Sequence, residues 1–288
     1  MSDSFEQKIS LDSSSHPRLS EFNRLVYPVV SRRAGGLSLG INLNPSKTCS
    51  YNCVYCQVDR SVRISGLEVD ITKIEEELEY WLMRIADRED KFGDLEVRDI
   101  AIAGDGEPTL SKHLPGLIIR LVEIKKKHNL KECKLVLFTN GSKIHRTDLW
   151  EVLPAFFANN GQIWYKLDCW DEESYHIINR SAVPFSRIVD NLTRLGTQFP
   201  VTLQSCFFSW ENHGFSVNDY KPYVDLIKKL QGQGVHLELI QSYTLARIPA
   251  ESSARPWSDK EMDELHEFLK SHLNIPIKTI YKTGVKDS

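Results

Sequence analysis

Apolar residues along the chain repeat at two spacings, one typical of strands and one typical of helices. Residues 37–43 alternate between apolar and small or polar side chains, as a strand does, and Pro45 ends the pattern. Further short apolar runs predict strands at 98–103, 135–139, 163–168, 201–207, 235–241 and 275–281.

Between these strands, apolar residues recur three and four positions apart, which predicts amphipathic helices. The first of them has Thr72 and Glu75 as a capping box and Ile74, Leu78 and Trp81 on one face. Further helices are predicted at 114–124, 147–157, 185–195 and 224–230, and a last one begins at a capping box over 258–261.

Strand and helix signals that alternate in this way predict right-handed βαβ units around a parallel sheet. Six consecutive units indicate an α/β fold, a partial (β/α)6 TIM-like barrel, as one core domain over 29–288. Residues 1–28 are predicted to be an N-terminal extension, disordered over the Ser-rich 1–15 and with a short helix over 16–27. In such folds the chemistry gathers at the C-terminal ends of the strands.

Composition and charge narrow the class of protein. Of the 288 residues, 41% are hydrophobic and 26% are charged, which suits a globular chain with a sizeable core. The N-terminus lacks the pattern of a signal peptide, and no apolar stretch approaches the roughly 20 residues that span a bilayer. These features predict a soluble, cytoplasmic protein. The formal net charge of -3 indicates no global attraction to nucleic acid.

Three of the six cysteines lie on one loop directly after the first predicted strand. Cys49, Cys53 and Cys56 form a Cys-x3-Cys-x2-Cys run, and soft thiolates on a tight loop suit an iron-sulfur cluster or zinc. A structural zinc site needs four ligands, usually as two separated pairs, and the sequence has no second pair. A cuboidal cluster held by three cysteines leaves one iron open to a small molecule, so an iron-sulfur cluster is favoured.

This spacing, with Tyr55 before the third cysteine, resembles the fingerprint of the radical S-adenosylmethionine (SAM) superfamily. The resemblance implies a barrel of the radical SAM type and a 4Fe-4S cluster held by Cys49, Cys53 and Cys56, with SAM on the open iron. Reductive cleavage of SAM would then give a 5'-deoxyadenosyl radical, so that the cofactors carry the difficult chemistry. The resemblance also implies an electron donor such as flavodoxin or ferredoxin.

Polar residues at later strand ends resemble further motifs of this superfamily. Residues 104–108, Gly-Asp-Gly-Glu-Pro, resemble the Gly-Gly-Glu-Pro motif that receives the SAM amino group, with Glu107 as the acceptor. The segment Thr-Asn-Gly at 139–141 resembles one whose polar groups face SAM, although an ordinary turn is the alternative for both segments. The candidate cofactor-binding residues are Tyr55, Gly104, Gly106, Glu107, Asn140, Asp168 and Gln204.

Lys166 and Cys169 are the candidate catalytic residues. Alternation along the fourth strand places Lys166 on the same side as Asp168, where many members of the superfamily have Ser-x-Asp. An inward lysine needs an anionic partner, such as the SAM carboxylate or an acidic substrate. Cys169 could donate a hydrogen atom to a substrate radical, and burial for packing is the alternative for a free cysteine. Gln204 and Gln241 either line the cavity or are satisfied core amides.

Several stretches resemble the branch of the superfamily that contains the tRNA wyosine-synthesis enzymes, namely 29–33 with 39–42 ahead of the cysteines, Ile178-Asn179-Arg180, and 243–247. The wyosine enzymes use pyruvate and a second cluster held by cysteines upstream of the fingerprint, but no cysteine precedes Cys49. Three hypotheses stay open: a radical SAM enzyme of oxidoreductase or lyase type with an unassigned substrate, the same chemistry on tRNA, and a non-catalytic iron-sulfur or zinc protein. The net charge makes tRNA the less favoured partner.

Overall fold

The protein structure, a computed structural model, describes residues 23–61, 68–88, 92, 94–210, 216–247, 249–251, 253–282 and 284–287. The strands are β1 Val26–Ser31, β2 Gly36–Ile41, β3 Val97–Ile102, β4 Lys134–Thr139, β5 Gly161–Lys166, β6 Val201–Cys206, β7 Phe208–Trp210, β8 Leu237–Tyr243, β9 Ala254–Pro256, β10 Ile277–Ile280 and β11 Val285–Asp287. The helices are α1 Ile71–Ala86, α2 Leu114–Lys127, α3 Thr147–Ala158, α4 Glu172–Ile178, α5 Phe185–Gly196, α6 Lys221–Gly232 and α7 Asp259–His272, with 3-10 turns at Pro108–Leu110 and Val217–Tyr220.

The chain divides into two compact units. The first unit comprises Met1–Cys49, Arg60–Phe138 and His145–Gln162, and the second comprises Ser50–Asp59, Thr139–Ile144 and Ile163–Ser288. In the first unit the strand order is β1-β2-β3-β4, antiparallel between β1 and β2 and parallel from there on. In the second unit the order is β5-β6-β8-β10-β11, antiparallel only at β11, and β7 and β9 form a separate antiparallel pair.

In the first unit, α1 holds the start of β1 through a buried carboxylate. Glu77 accepts hydrogen bonds from the backbone N–H groups of Leu25 (2.7 Å) and Val26 (2.9 Å). These two donors begin a strand that has a partner on one side only, so the carboxylate satisfies groups that burial would otherwise leave unpaired. The helix N-cap is Asp70, whose side chain accepts from Thr72 N–H, and not the predicted Thr72.

In the second unit, the helices cover one face of the strands. Tyr165 on β5 donates to a carbonyl of α5, Ser205 on β6 meets the hydroxyl of Tyr223 on α6, and Thr279 on β10 meets His266 on α7. Successive side chains of a strand point to opposite faces, so Lys166, next to Tyr165, faces away from these helices. The residues that lie beside Lys166 on β6 and β8 face the same way. Those residues form one row across β5, β6 and β8: Lys166, Gln204 and Gln241.

Most predicted elements are confirmed to within two residues at their ends. The helices predicted at 114–124 and 224–230 each extend three residues further, to Lys127 and from Lys221. The short helix predicted for 16–27 is wrong at its end, because Val26 and Tyr27 belong to β1, and 16–22 lie outside the described residues. The predicted disorder of 1–15 also lies outside them. The predicted single core domain over 29–288 stays a prediction. Among the described residues, no helix combines the length and the apolar character needed to cross a membrane.

Asp99 on β3 is a buried carboxyl with a raised pKa. Burial raises this pKa to about 6, although a hydrogen bond with Ser38 and the charge of Lys134 both lower it. A carboxyl whose pKa is higher in the folded than in the unfolded chain stabilises the fold when protonated, and this contribution is lost as the pH rises from about 4 to about 6. The neutral Asp99→Asn variant should therefore raise the free energy of unfolding by about 1 to 3 kcal/mol at pH 8 and by much less at pH 4.

Urea titrations of both proteins at the two pH values measure this difference. Asp190→Asn, at an exposed position of α5, is the matched control and should give equal stabilities to the original chain at both pH values. An Asp99→Asn effect of the same size at pH 4 and pH 8 would contradict the assignment of a buried, ionised carboxylate at neutral pH.

Candidate functional site

The cysteine loop, residues 49–56, is anchored to the C-terminal end of α4. The backbone N–H of Asn52 donates to the carbonyl of Asn179 (2.9 Å), and that of Val54 donates to the carbonyl of Ile178 (3.0 Å). The loop has no regular secondary structure of its own, so these bonds to the helix end supply the partners that its backbone needs.

The second and third cysteines are joined by a tight turn. Cys56 N–H donates to the carbonyl of Cys53 (2.9 Å), and the carbonyl of Cys56 accepts from Ala250 N–H (2.8 Å). Cys49, Cys53 and Cys56 are all half-buried, and none of them is in a disulfide. Among the described residues, no three or more His, Cys, Asp or Glu side chains stand close enough together to hold a metal ion.

Burial, and then the nearby Asp168, raise the pKa of Cys53 to about 12. The isolated thiol therefore stays protonated at neutral pH. Binding of a soft metal ion would displace this proton, because the thiolate is the form that ligates metals. The three thiols thus have the chemistry of an iron-sulfur ligand set, with no other metal-ligand side chain on the loop.

Asp168 lies directly after β5 and gathers groups from three parts of the second unit. Its Oδ2 accepts from the Tyr55 hydroxyl (2.5 Å) and from Asn179 Nδ2 (3.3 Å), and its Oδ1 accepts from Cys206 N–H (2.8 Å). Burial and the Asp168 charge raise the pKa of Tyr55 well above its ordinary value, so this phenol remains a donor. Asp168 therefore fixes the side chain of the residue that precedes the third cysteine.

Lys166 is a half-buried cation beside Asp168. Its Nζ donates to the Tyr243 hydroxyl (2.5 Å), lies 3.5 Å from Asp168 Oδ1, and sits 4.9 Å and 5.1 Å from the ring centres of Tyr55 and Tyr243. Burial lowers the pKa of Lys166, but Asp168 and Tyr243 raise it more, so the pKa lies above its ordinary value. The side chain is accordingly a charged hydrogen-bond donor and a poor nucleophile.

Next to Lys166, the two glutamines of the row bond to each other. Gln204 Nε2 donates to Gln241 Oε1 (2.8 Å), and both amides are buried. This mutual bond leaves the NH2 group of one amide and the carbonyl of the other outside it, whichever way the two amides are oriented.

Cys169 is enclosed. Its thiol is fully buried and donates to the carbonyl of Ser174 (3.5 Å) and to Asn179 Oδ1 (3.1 Å). Burial, with Asp168 as the next cause, raises its pKa well above the ordinary value. In this arrangement the thiol acts as a local hydrogen-bond donor, and its predicted role as a hydrogen-atom donor stays a prediction.

Asn140 connects the end of β4 to the residue that follows Cys49. Its Nδ2 donates to Ser50 Oγ (3.0 Å), its Oδ1 accepts from Ser142 N–H (3.0 Å), and its carbonyl accepts from the Tyr51 hydroxyl (3.1 Å). The two serine hydroxyls also bond to each other at 2.7 Å. The amide is therefore used to shape the start of the cysteine loop.

In the first unit, Glu107 closes the turn after β3. Its backbone N–H donates to the carbonyl of Thr48 (3.0 Å), and its Oε1 accepts from the backbone N–H (3.0 Å) and the hydroxyl (2.5 Å) of Thr109. One carboxylate oxygen thus caps the turn Pro108–Leu110. The carboxylate is buried, which makes its charge valuable to a cationic ligand.

The glycines of this turn are required by close approach of the chain. A Cβ at Gly106 would clash with the carbonyl of Thr48, and one at Gly104 would clash with the side chain of Asn42. Asn42 also donates to Asp105 Oδ2 (2.6 Å) and accepts from Asp105 N–H (3.2 Å). Asn42 and Asp105 are therefore part of the turn although sequence reasoning gave them no role, and only the quoted 39–42 stretch could have drawn attention to Asn42.

A family model matches this chain. The model of the radical SAM superfamily matches residues 43–212, which are more than half of the 288 residues. The matched region includes the cysteine loop, the 104–108 turn and Asp168. Among curated relatives, a GTPase Obg of Brachyspira hyodysenteriae is 28% identical over 261 residues, which are 88% of this chain and 34% of that protein. The chain thus spans about a third of the length of this relative.

Two solved structures share the fold. SuiB of Streptococcus suis bound to S-adenosylmethionine has a TM-score of 0.57 at 15% identity, over 91% of this chain and 50% of that one. TYW1 with a lysine-pyruvate adduct bound has a TM-score of 0.52 at 18% identity, over 96% of this chain and 83% of that one. These similarities confirm the predicted fold class, the partial (β/α)6 barrel of the radical SAM type.

The family match also confirms the predicted enzyme class and, at the level of the family, the predicted cofactors, a 4Fe-4S cluster and SAM. On this sequence match and on the shared fold, the chain belongs to the radical SAM superfamily.

Proposed function

We propose that Cys49, Cys53 and Cys56 hold a 4Fe-4S cluster with SAM at its open iron, and that the enzyme acts on an unassigned substrate. When bound, these cofactors supply the 5'-deoxyadenosyl radical. The observation that carries the proposal is the donor set: three thiols outside any disulfide, on one loop whose backbone is tied to α4, in a chain of this superfamily. The other cysteines are buried elsewhere: Cys133 directly before β4, Cys169 in the segment after β5 and Cys206 at the end of β6.

The turn at 104–108 is suited to the amino group of SAM. Glu107 offers a buried carboxylate to an ammonium, and Gly104 and Gly106 keep the backbone free of side chains there. In this proposal Thr109 fixes the carboxylate by bonding to one of its oxygens, so that the orientation of Glu107 is set before SAM arrives.

Several other candidate residues act by positioning. Asp168 holds the Tyr55 hydroxyl next to the third cysteine, and Asn140 holds Ser50 next to the first, so both keep the loop in shape. Lys166 and Gln204 face away from the helices and offer hydrogen-bond groups to a ligand. The charged Lys166 suits an anionic group, either the SAM carboxylate or an acid of the substrate.

The cluster assignment predicts that Ala substitution of Cys49, Cys53 or Cys56 removes iron binding. After anaerobic reconstitution, the original chain should carry about four irons, as three thiolates and one open site require, and each variant should carry far less. Cys133→Ala, at a buried free cysteine of the first unit, is the matched control and should keep the full iron content. Tightly bound zinc in place of iron, or loop variants that retain four irons, would contradict the proposal.

The role of Glu107 predicts a specific loss of SAM affinity. Glu107→Gln keeps an oxygen that can accept from Thr109 but removes the charge, so the turn should stay capped. SAM binding to the iron-loaded variant should weaken by about 5- to 150-fold, the equivalent of the roughly 1 to 3 kcal/mol lost with one partner of a charged hydrogen bond.

Isothermal titration with SAM measures the affinity, and iron analysis checks the cluster content. The control is Glu96→Gln, whose side chain is 76% exposed and should bind SAM as the original chain does. Full iron content together with unchanged SAM affinity in Glu107→Gln would show that the ammonium is bound elsewhere.

A further inference from the structure

Asn179 is a buried amide at the point where α4 meets the cysteine loop. It is the C-cap residue of that helix, only 2% of its surface is exposed, and its carbonyl accepts from Asn52 N–H on the loop (2.9 Å). It belongs to the Ile178-Asn179-Arg180 stretch, to which sequence reasoning assigned no role.

The side chain of Asn179 makes three hydrogen bonds. Its Nδ2 donates to Cys53 Sγ (3.2 Å) and to Asp168 Oδ2 (3.3 Å), while its Oδ1 accepts from the Cys169 thiol (3.1 Å). These partners fix the orientation of the amide, because the reverse orientation would place the carbonyl oxygen against the Asp168 carboxylate. An N–H group is therefore directed at the sulfur of the second cysteine.

The backbone around Asn179 is held by further contacts. Arg180, the next residue, has a left-handed φ of 46°, a backbone conformation that is unfavourable for a non-glycine residue. Its side chain forms an ion pair with Glu251 and lies 5.6 Å from the ring centre of Trp210. Such a strained position persists only where surrounding contacts determine it, and here it sets the direction of the preceding Asn179.

We infer that Asn179 is a positioning residue that donates a hydrogen bond to the Cys53 sulfur and thereby raises the reduction potential of the cluster. This inference rests on the proposed function, since it requires the cluster to be held by Cys53. Hydrogen bonds to the sulfurs are one of the factors that set the potential of an iron-sulfur cluster. The added electron makes the ligand sulfurs more negative, so the N–H donor stabilises the reduced state more than the oxidised one.

The test is Asn179→Leu, which keeps a branched side chain of similar size and removes the N–H donor. EPR-monitored redox titration of the iron-loaded protein without SAM should show a reduction equilibrium constant about tenfold lower, which at 59 mV per tenfold for one electron is about 60 mV more negative. Asn191→Leu is the matched control: its buried amide donates to the carbonyl of Gly141 (2.8 Å) and does not contact a cysteine, so its potential should be unchanged.

A second measurement does not depend on the variant's folding. Electron-nuclear double resonance of the reduced original chain, labelled with 15N in asparagine side chains, should show a nitrogen coupled to the cluster. Full iron content with an unchanged potential in Asn179→Leu, or no such coupling in the original chain, would overturn this inference and leave the proposed function intact. A chain that takes up no iron would overturn the proposed function itself.

Discussion

Backbone hydrogen bonds between residues 52–54 and the end of α4 are the constraint on which the shape of the cysteine loop depends. A loop without helix or strand cannot satisfy its own N–H and C=O groups, so its form is set by whatever element offers partners. Here those partners are the terminal carbonyls of a seven-residue helix, which such a helix leaves unpaired. The same helix end presents Asn179 to Cys53, so the scaffold of the loop and the environment of its sulfur come from one place.

Asp168 is a buried charged group that holds side chains beside the same loop. It accepts from Tyr55, Asn179 and the backbone of Cys206, and it stands 3.5 Å from the Lys166 ammonium. A buried carboxylate with three donors and a neighbouring cation is satisfied without a ligand, and the pair adds no net charge to its surroundings. Lys166 can therefore stay protonated between the rings of Tyr55 and Tyr243.

The sequence predicts most of the regular elements, because long apolar repeats report burial directly. The face of α5 formed by Ile188, Leu192 and Leu195 is an example, and all three side chains are buried. It does not predict α4, whose seven residues are too few for a helical period, or β7 and β9, whose three residues each are too few for alternation. Asp and Thr are both good N-cap residues, so the sequence alone does not distinguish Asp70 from Thr72 at the start of α1. The path of the preceding chain decides in favour of Asp70.

Some residues of the candidate site can likewise be predicted from the sequence, and others cannot. Cys49, Cys53, Cys56 and Glu107 are found from local spacing, since each belongs to a short motif. Asn179 contacts Cys53 across 126 positions of sequence, and no local pattern carries such a contact. Asn42 likewise meets Asp105 across 63 positions. These two contacts are thus visible only after the chain has folded.

If this one chain binds the cluster and SAM, reduction of the cluster should cleave SAM. The most direct measurement is the product of SAM after anaerobic reduction of the reconstituted protein with dithionite, analysed by chromatography and mass spectrometry. We expect slow formation of 5'-deoxyadenosine and free methionine in equal amounts even without substrate. Protein that carries four irons, binds SAM and still leaves it intact under these conditions would show that the chain does not cleave SAM in this way.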